Sequence, residues 1–331
     1  MNSKRNEKKY SIIIPVYNAA RFIVNTLDSL KQQTYKNIEI ILVNDGSVDD
    51  TAAIIKEYIA NNPSISIIYS YINNSGPSTA RNIGFNKATG DYVCFLDSDD
   101  QYKETLFEDL SKLDYNPDIC YFGWQEVNEN GEICFKYENV FNYIAFNNGK
   151  EACLNKYNKN FWICNCNAIY RTEFLRANNI SYLNGVYSGE DSNFIYKALF
   201  FAENIDYLEG DYFINNIRSQ SLSHAPNMQR MLTEYNALSD LKQFFKTNQY
   251  DAFVKIVDSM VLIANLTIAK KIIKSGIGFN SFYKTIKEKL PVAKEGRELL
   301  LRKEKLENFL YQHCKLGFYL LVKVYYGLIT K

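Results

Sequence analysis

Asp97, Asp99 and Asp100 place three carboxylates within four positions, directly after the apolar run Tyr92-Val93-Cys94-Phe95-Leu96. Packed carboxylates repel one another and are costly to desolvate unless a cation neutralises them. Side chains at i and i+2 leaving a strand can turn toward one ligand. Asp97 and Asp99, flanking Ser98, would then suit a hard divalent cation, which takes carboxylate oxygens together with substrate phosphates. The other reading of these residues is a solvated loop in which Asp99 or Asp100 caps a helix starting near residue 103. An Asp-x-Asp pattern alone does not separate the two.

Such a cluster needs a scaffold, and the preceding sequence supplies one. Residues 11–16 read as a short apolar strand ended by Pro15-Val16, and residues 19–33 carry a helical pattern through Phe22, Leu27 and Leu30. A second buried strand at 38–43 runs into the turn Asn44-Asp45-Gly46-Ser47, followed by a helix at about 49–61. A strand at 65–71, a helix at 78–88 and a strand at 92–96 continue the alternation. Apolar strands alternating with helices predict an α/β fold with a parallel sheet covered on both faces. Ligands of such sheets bind beyond the carboxyl ends of the strands. Pro15 to Asn18, Asn44 to Ser47 and Asp97 to Asp99 all occupy such ends and are expected to converge on one crevice.

After residue 100 the pattern loosens. It predicts a helix near 103–113, strands around 118–127 and 132–138 joined by a turn at 128–131, and partly helical stretches at 150–175 and 190–203. From about 228 onward nearly everything reads as helix, with breaks near 276–278 and Pro291. The expected organisation is a polar lead-in at 1–9, a first half-domain at 10–101, a second at 102–227 and a helical region at 228–331.

With 331 residues, 47% apolar and 23% charged, the chain suits one large α/β domain with an appendage, or two domains, and general disorder is excluded. The seven cysteines are scattered, and the close pair Cys164-x-Cys166 has no second pair or His-rich partner to complete a zinc pattern. Both are read as packing residues. No signal-peptide pattern opens the sequence, so a cytoplasmic protein with reduced thiols is expected. Net charge is +1, yet residues 270–331 hold 14 Lys/Arg against 5 Asp/Glu, a local balance of +9 that leaves −8 elsewhere. Within that basic region the stretch from Leu316 to Ile329 is strongly apolar but short for a membrane span. It suits a helix lying in a membrane interface, drawn by anionic headgroups, or a helix docked on the protein's own core. No nucleic-acid motif accompanies the charge, and no nucleic-acid partner is expected.

The segments Ile14-Pro15-Val16-Tyr17-Asn18, Asn44-Asp45-Gly46-Ser47-Val48-Asp49, Asn74 to Gly84, Ala88-Thr89-Gly90-Asp91-Tyr92 and Asp97-Ser98-Asp99-Asp100 occur in one order across residues 10–101. Together they closely resemble the family 2 glycosyltransferases of the GT-A fold. The resemblance implies a Rossmann-like, mostly parallel central sheet flanked by helices, with a helical C-terminal extension. It also implies a nucleotide-sugar donor, usually UDP-linked, and Mn²⁺ or Mg²⁺. Carried over by motif, Pro15 and Tyr17 would line the nucleoside pocket, with Asn18, Gly76 and Ser98 on the donor side. Asp45 would accept a hydrogen bond from the base, and Arg81 would offer its guanidinium to base or phosphate. Asp97 would touch ribose or metal, and Asp99 would be the main metal ligand. One departure stands out: relatives often have two aspartates before Gly-Ser, and here the first is Asn44.

Ser188-Gly189-Glu190-Asp191 resembles the element opening the family's acceptor-side helix, which implies Asp191 as the base taking the acceptor's proton and Glu190 as an orienting group. The same acids would suit any helix N-terminus. In the stretch from Trp162 to Arg171, Trp162 would stack on an acceptor sugar or fill the core. Arg218 to His224 resembles a loop closing over the diphosphate, with Arg218 on phosphate and His224 completing the metal shell. The implied activity is inverting, metal-dependent transfer to a glycan acceptor. That acceptor would be lipid-linked, for surface polysaccharide or lipooligosaccharide assembly at the inner face of the cytoplasmic membrane. Two rivals are a sugar nucleotidyltransferase and an inactive sugar-binding scaffold. The first needs a Gly-rich basic loop where this chain has Tyr17-Asn18-Ala19-Ala20.

Overall fold

The computed structural model describes residues 7–113, 116–217, 228–274, 276, 278–290, 299–300 and 302–329. The chain separates into two compact units, Met1–Gly185 with Phe194–Ser219, and Val186–Asn193 with Gln220–Lys331.

The first unit is built on one sheet. Its strands are β1 (Tyr10–Val16), β2 (Ile38–Asp45), β3 (Ile67–Ile72), β4 (Tyr92–Phe95), β5 (Gln101–Tyr102), β6 (Ile119–Val127), β7 (Ile133–Lys136), β8 (Ala168–Arg171) and β9 (Ile205–Asn216). The helices in sequence are α1 (Ile23–Lys31), α2 (Thr51–Asn61), α3 (Pro77–Lys87), α4 (Leu106–Ser111), α5 (Gly149–Tyr157), α6 (Thr172–Ala177) and α7 (Glu190–Phe201), the last beginning in the second unit. The strand order is β3-β2-β1-β4-β8-β6-β9-β5, with β7 paired to β6.

The isoleucine and leucine runs of β1 and β2 are buried on both faces, as a central parallel strand requires. The chain steps outward from β1 to β2 to β3, then returns through α3 to lay β4 parallel on the other side of β1. That reversal of strand order opens a crevice at the carboxyl ends of β1 and β4. The expected parallel sheet is therefore present in β3-β2-β1-β4. Past β4 the sheet continues through β8, antiparallel to both β4 and β6.

Helix α3 crosses close over the sheet because residue 84 is glycine. A Cβ there would stand 2.4 Å from Ile13 Cγ2, on a β-branched side chain with little freedom to turn away. Gly84→Ala should therefore lower stability by about 1–3 kcal/mol through overpacking, read as a fall in the thermal midpoint.

At the opposite end of the strands, Glu39 is buried and fully engaged. Its carboxylate accepts from Lys9 Nζ at 2.7 Å, Ser11 Oγ at 2.6 Å and Thr89 N at 2.7 Å. Burial alone would raise its pKa, but these donors prevail and hold it at about 2. A carboxylate with a depressed folded pKa stabilises the fold above its unfolded value. That contribution fades as pH falls from about 4.5 through about 2. Glu39→Gln should cost roughly 3 kcal/mol at pH 7, with the gap to the parent closing in acid, as chemical denaturation across pH 2–7 would show.

Three strands depart from the sequence expectation, the first being β5, only two residues long and not expected. β8 lies inside the stretch read as partly helical, and β9 was not expected at all. β8 is only four residues long. β9 breaks the period-two pattern through Gly210, at φ 128°, and through register shifts opposite Phe122 to Trp124. Helix α1 starts at Ile23 rather than near 19, because the intervening residues form the loop after β1.

The second unit consists of 186–193 and five helices: α8 (Met228–Thr247), α9 (Asp251–Lys274), α10 (Phe279–Lys289), α11 (Arg302–His313) and α12 (Lys315–Ile329). Among the described residues α9 alone is long and apolar enough to cross a membrane, with mean hydropathy 1.7. Most of its apolar window is buried in this unit, as in the core helix of a bundle. Leu266, Ala269, Ile272 and Ile273 of α9 share a cluster with Phe318, Tyr319 and Val322 of α12. The docked-helix expectation thus holds for one face of α12, while Leu316, Leu320 and Leu321 are exposed.

Candidate functional site

The loops at the carboxyl ends of β1 and β2 are tied to each other by their own polar groups. Asn18, at φ 50°, donates from its backbone N to Ser47 Oγ at 2.9 Å, and its Oδ1 accepts from Val48 N at 2.9 Å. Asn44, where relatives often carry a charge, is fully buried. Its Oδ1 accepts from Ser47 N at 2.9 Å and its Nδ2 donates to the Tyr69 hydroxyl at 3.0 Å. An amide serves as both donor and acceptor here, which an ionised carboxylate cannot do. Tyr17, between these braced positions, is 42% exposed, and Pro15, near the end of β1, is half-buried.

Asp45 joins β2 to the start of α3. Its oxygens accept from Ser75 N at 2.6 Å and Gly76 N at 2.8 Å, and Gly76 reaches φ 88° to present that N–H. Burial raises the pKa of Asp45 despite both bonds. The expectation that Asp45 accepts from a base therefore meets a carboxylate already holding two backbone N–H groups. From the same helix Arg81, buried, donates through Nη2 to Asp97 Oδ1 at 2.9 Å, and its guanidinium lies 5.2 Å from the Tyr182 ring centroid. Arg81, expected to reach base or phosphate, is paired with Asp97 in this structure.

The acidic cluster divides by direction. Asp97 keeps 43% of its side chain exposed, and Ser98 and Asp99 are half-buried. Asp100 is turned inward: its Oδ1 accepts from Asn216 N of β9 at 2.9 Å, while Asn216 Nδ2 donates to the Asp99 carbonyl at 2.9 Å. The helix-capping alternative fails, since β5 follows directly and α4 begins only at Leu106, after Thr105. Asp97, Asp100 and Cys166 each bring one potential ligand atom within 4.8 Å of the others. Burial, and next the Asp97 carboxylate, push the Cys166 thiol well above its ordinary pKa, so it packs as a neutral group. Hard dications take oxygen ligands, and the carboxylates of Asp97 and Asp99 fit Mn²⁺ or Mg²⁺ in donor type, whereas the buried thiol does not.

Strand ends at a strand-order reversal that carry an exposed tyrosine and the partly exposed Asp97 suit a nucleotide with its phosphates. Residues 11–178 match the family described as Glycosyl transferase family 2. The chain belongs to glycosyltransferase family 2. It is 34% identical over 250 residues to Glycosyltransferase GlyA of Streptococcus pneumoniae, which covers 71% of this chain and 34% of that protein. The chain thus spans about a third of the length of that relative. Among solved structures it is similar to S. aureus TarS 1–349 in complex with UDP-GlcNAc, with TM-score 0.60 and 21% identity, covering 95% of this chain and 81% of that one. It is also similar to the mannosyltransferase PcManGT from Pyrobaculum calidifontis in complex with GDP-Man and Mn²⁺, with TM-score 0.54 and 14% identity, covering 99% and 89%. At these identities the likeness bears on the fold, which is GT-A.

In this family 2 chain the remaining predicted residues fall in three places. Trp162 is half-buried, stacked on Phe141 with centroids 5.9 Å apart, and the Lys156 ammonium stands 3.8 Å from its ring centroid. Those contacts pack the ring against Phe141 and Lys156 while the residue stays half-buried. Glu190 and Asp191 open α7, in the second unit. There Gly189, at φ 81°, lets the chain pass Glu234 and Ala237 of α8, and Asn193 Nδ2 donates to the Ala237 carbonyl at 2.8 Å and to Asp240 at 2.9 Å. Glu190 is buried and Asp191 half-buried. Arg218 and His224 lie outside the described residues. Sequence reading missed Asn165 and Tyr182 as neighbours of the donor-side motifs, because no local pattern flags contacts made through the pairing of β4 with β8.

Proposed function

We propose that this chain is an inverting glycosyltransferase that moves one sugar from a nucleotide diphosphate, a UDP-sugar first, to a glycan acceptor. The observation that carries the reading is the acidic run Asp97 to Asp99 at the strand-order reversal, with 43% of the Asp97 side chain exposed and its carboxylate paired to buried Arg81. The complexes of TarS with UDP-GlcNAc and PcManGT with GDP-Man and Mn²⁺ support a nucleotide-sugar donor on this fold.

Tyr17 and Pro15 offer apolar surface to the base. Asp97 and Asp99 would hold Mn²⁺ or Mg²⁺, which when bound supplies charge neutralisation to the departing diphosphate. Asp45 acts from the second rank, fixing the start of α3 through Ser75 and Gly76. Asp191 takes the proton of the acceptor hydroxyl as the anomeric carbon is attacked, with Glu190 orienting the partners. Arg218 would pair with phosphate and His224 would complete the metal shell. The exposed leucines of α12 and the +9 balance of residues 270–331 favour a lipid-linked acceptor met at an anionic membrane surface, on the cytoplasmic side.

The test is release of nucleoside diphosphate from a panel of UDP- and GDP-sugars, with glycan or lipid-linked acceptors and with Mn²⁺, Mg²⁺ or EDTA. The expected result is turnover of one donor class that EDTA abolishes. No turnover of any donor under any of these conditions would leave the scaffold reading in its place.

A further inference from the structure

Arg81 carries a charge in a place where water does not reach it, with 5% of its side chain exposed. A buried guanidinium needs several hydrogen-bond acceptors to hold one orientation. Asp97 is one. The second is Asn165, on the loop before β8, itself buried. With its amide oxygen toward the guanidinium, Asn165 accepts from Arg81 Nε and Nη2 at 3.0 Å each, and its Nδ2 donates to the Tyr182 hydroxyl. This orientation satisfies every partner, whereas the reverse would face donor to donor.

Tyr182 is locked in turn. Its ring stacks parallel on Phe194 at 4.3 Å between centroids and meets Phe95, the last residue of β4, edge-on at 5.0 Å. Its backbone exchanges two 2.9 Å hydrogen bonds with the Asn82 side chain on α3. The planar fork of Arg81 is thus held along one edge by Asn165 and covered by the Tyr182 ring, and it presents Nη2 to Asp97 Oδ1. Asp97, 43% exposed, would otherwise sample several rotamers. Tying one oxygen to Arg81 restricts the orientation of the whole carboxylate.

We propose that Asn165 and Tyr182 are positioning residues for the donor: they fix Arg81, and through it the Asp97 carboxylate, from the acceptor-side half of the sheet. The inference rests on the reading of Asp97 as a donor-site carboxylate.

The probes are UDP and GDP with MnCl₂, titrated calorimetrically into the full chain. Asn165→Ala should weaken nucleotide binding by about 10-fold and Tyr182→Phe by about 3-fold. In an Asp97→Asn background either change should shift affinity by less than about 2-fold, because residues acting through one another are not additive. Parent affinity in both variants, or undiminished effects in the Asp97→Asn background, would overturn the proposal. Parent affinity in Asp97→Asn alone would instead overturn the donor-site reading, and the inference with it. If Asp97→Asn does not fold, Glu39→Gln serves as control, since it lowers stability at the far end of the strands. At matched loss of thermal midpoint, Glu39→Gln must keep nucleotide affinity while Asn165→Ala loses it. Equal affinities would count against a positioning role.

Discussion

Asp99→Asn is expected to lower kcat/KM by about 1000-fold, equivalent to roughly 4 kcal/mol of transition-state stabilisation, with the thermal midpoint nearly unchanged. The structural reason is the division within the acidic cluster. Asp97 keeps 43% of its side chain exposed and Asp99 is half-buried, its backbone carbonyl accepting from Asn216 Nδ2. Asp100 is the contrasting case, because its carboxylate accepts from Asn216 N and braces β9. Asp100→Asn should therefore act first on stability, by about 1–3 kcal/mol from a weakened buried hydrogen bond. Steady-state kinetics and thermal melts on the two variants separate these roles. Loss of stability in Asp99→Asn with activity retained would reverse the assignment.

The second large effect belongs to Asp191. Asp191→Asn should reduce transfer by about 100- to 10,000-fold, the range for a positioned general base, while nucleotide affinity stays at the parent value. Its position in the first turn of α7 gives an acid near a helix N-terminus, which by itself would suit any helix. The split between binding and turnover is what distinguishes a base from a cap. A capping acid lost there would lower the thermal midpoint and leave turnover per folded molecule intact.

Much of the strand-end crevice is legible in the sequence. The isoleucine run of β1, the apolar β2 and the short β4 each end in polar residues of a kind that binds ligands, and parallel strands put such ends together. The same reasoning puts Tyr17, Asp97 and Asp99 just past such strand ends. The direction of individual side chains was not legible. Nothing local says that Arg81 turns inward to Asp97, that Asp45 is occupied by Ser75 and Gly76, or that Asp100 faces β9. These follow from contacts across the sheet, and two of the strands making them, β8 and β9, carry weak patterns. Trp162 shows the same limit: a large aromatic suits a sugar or a core, and its contacts with Phe141 and Lys156 have no local signature. In the C-terminal unit, an apolar helix was legible in α12 but its two faces were not. The buried one is defined by its cluster with α9.

The most direct measurement is calorimetric titration of UDP and UDP-GlcNAc into the full chain, with Mn²⁺ and again with EDTA, for the parent and Asp99→Asn. The expected result is binding that depends on the ion and falls by at least about 30-fold, or roughly 2 kcal/mol, in the variant. Binding of equal strength with and without the ion, or equal in parent and variant, would contradict the assignment of the β4 carboxylates to the donor's diphosphate.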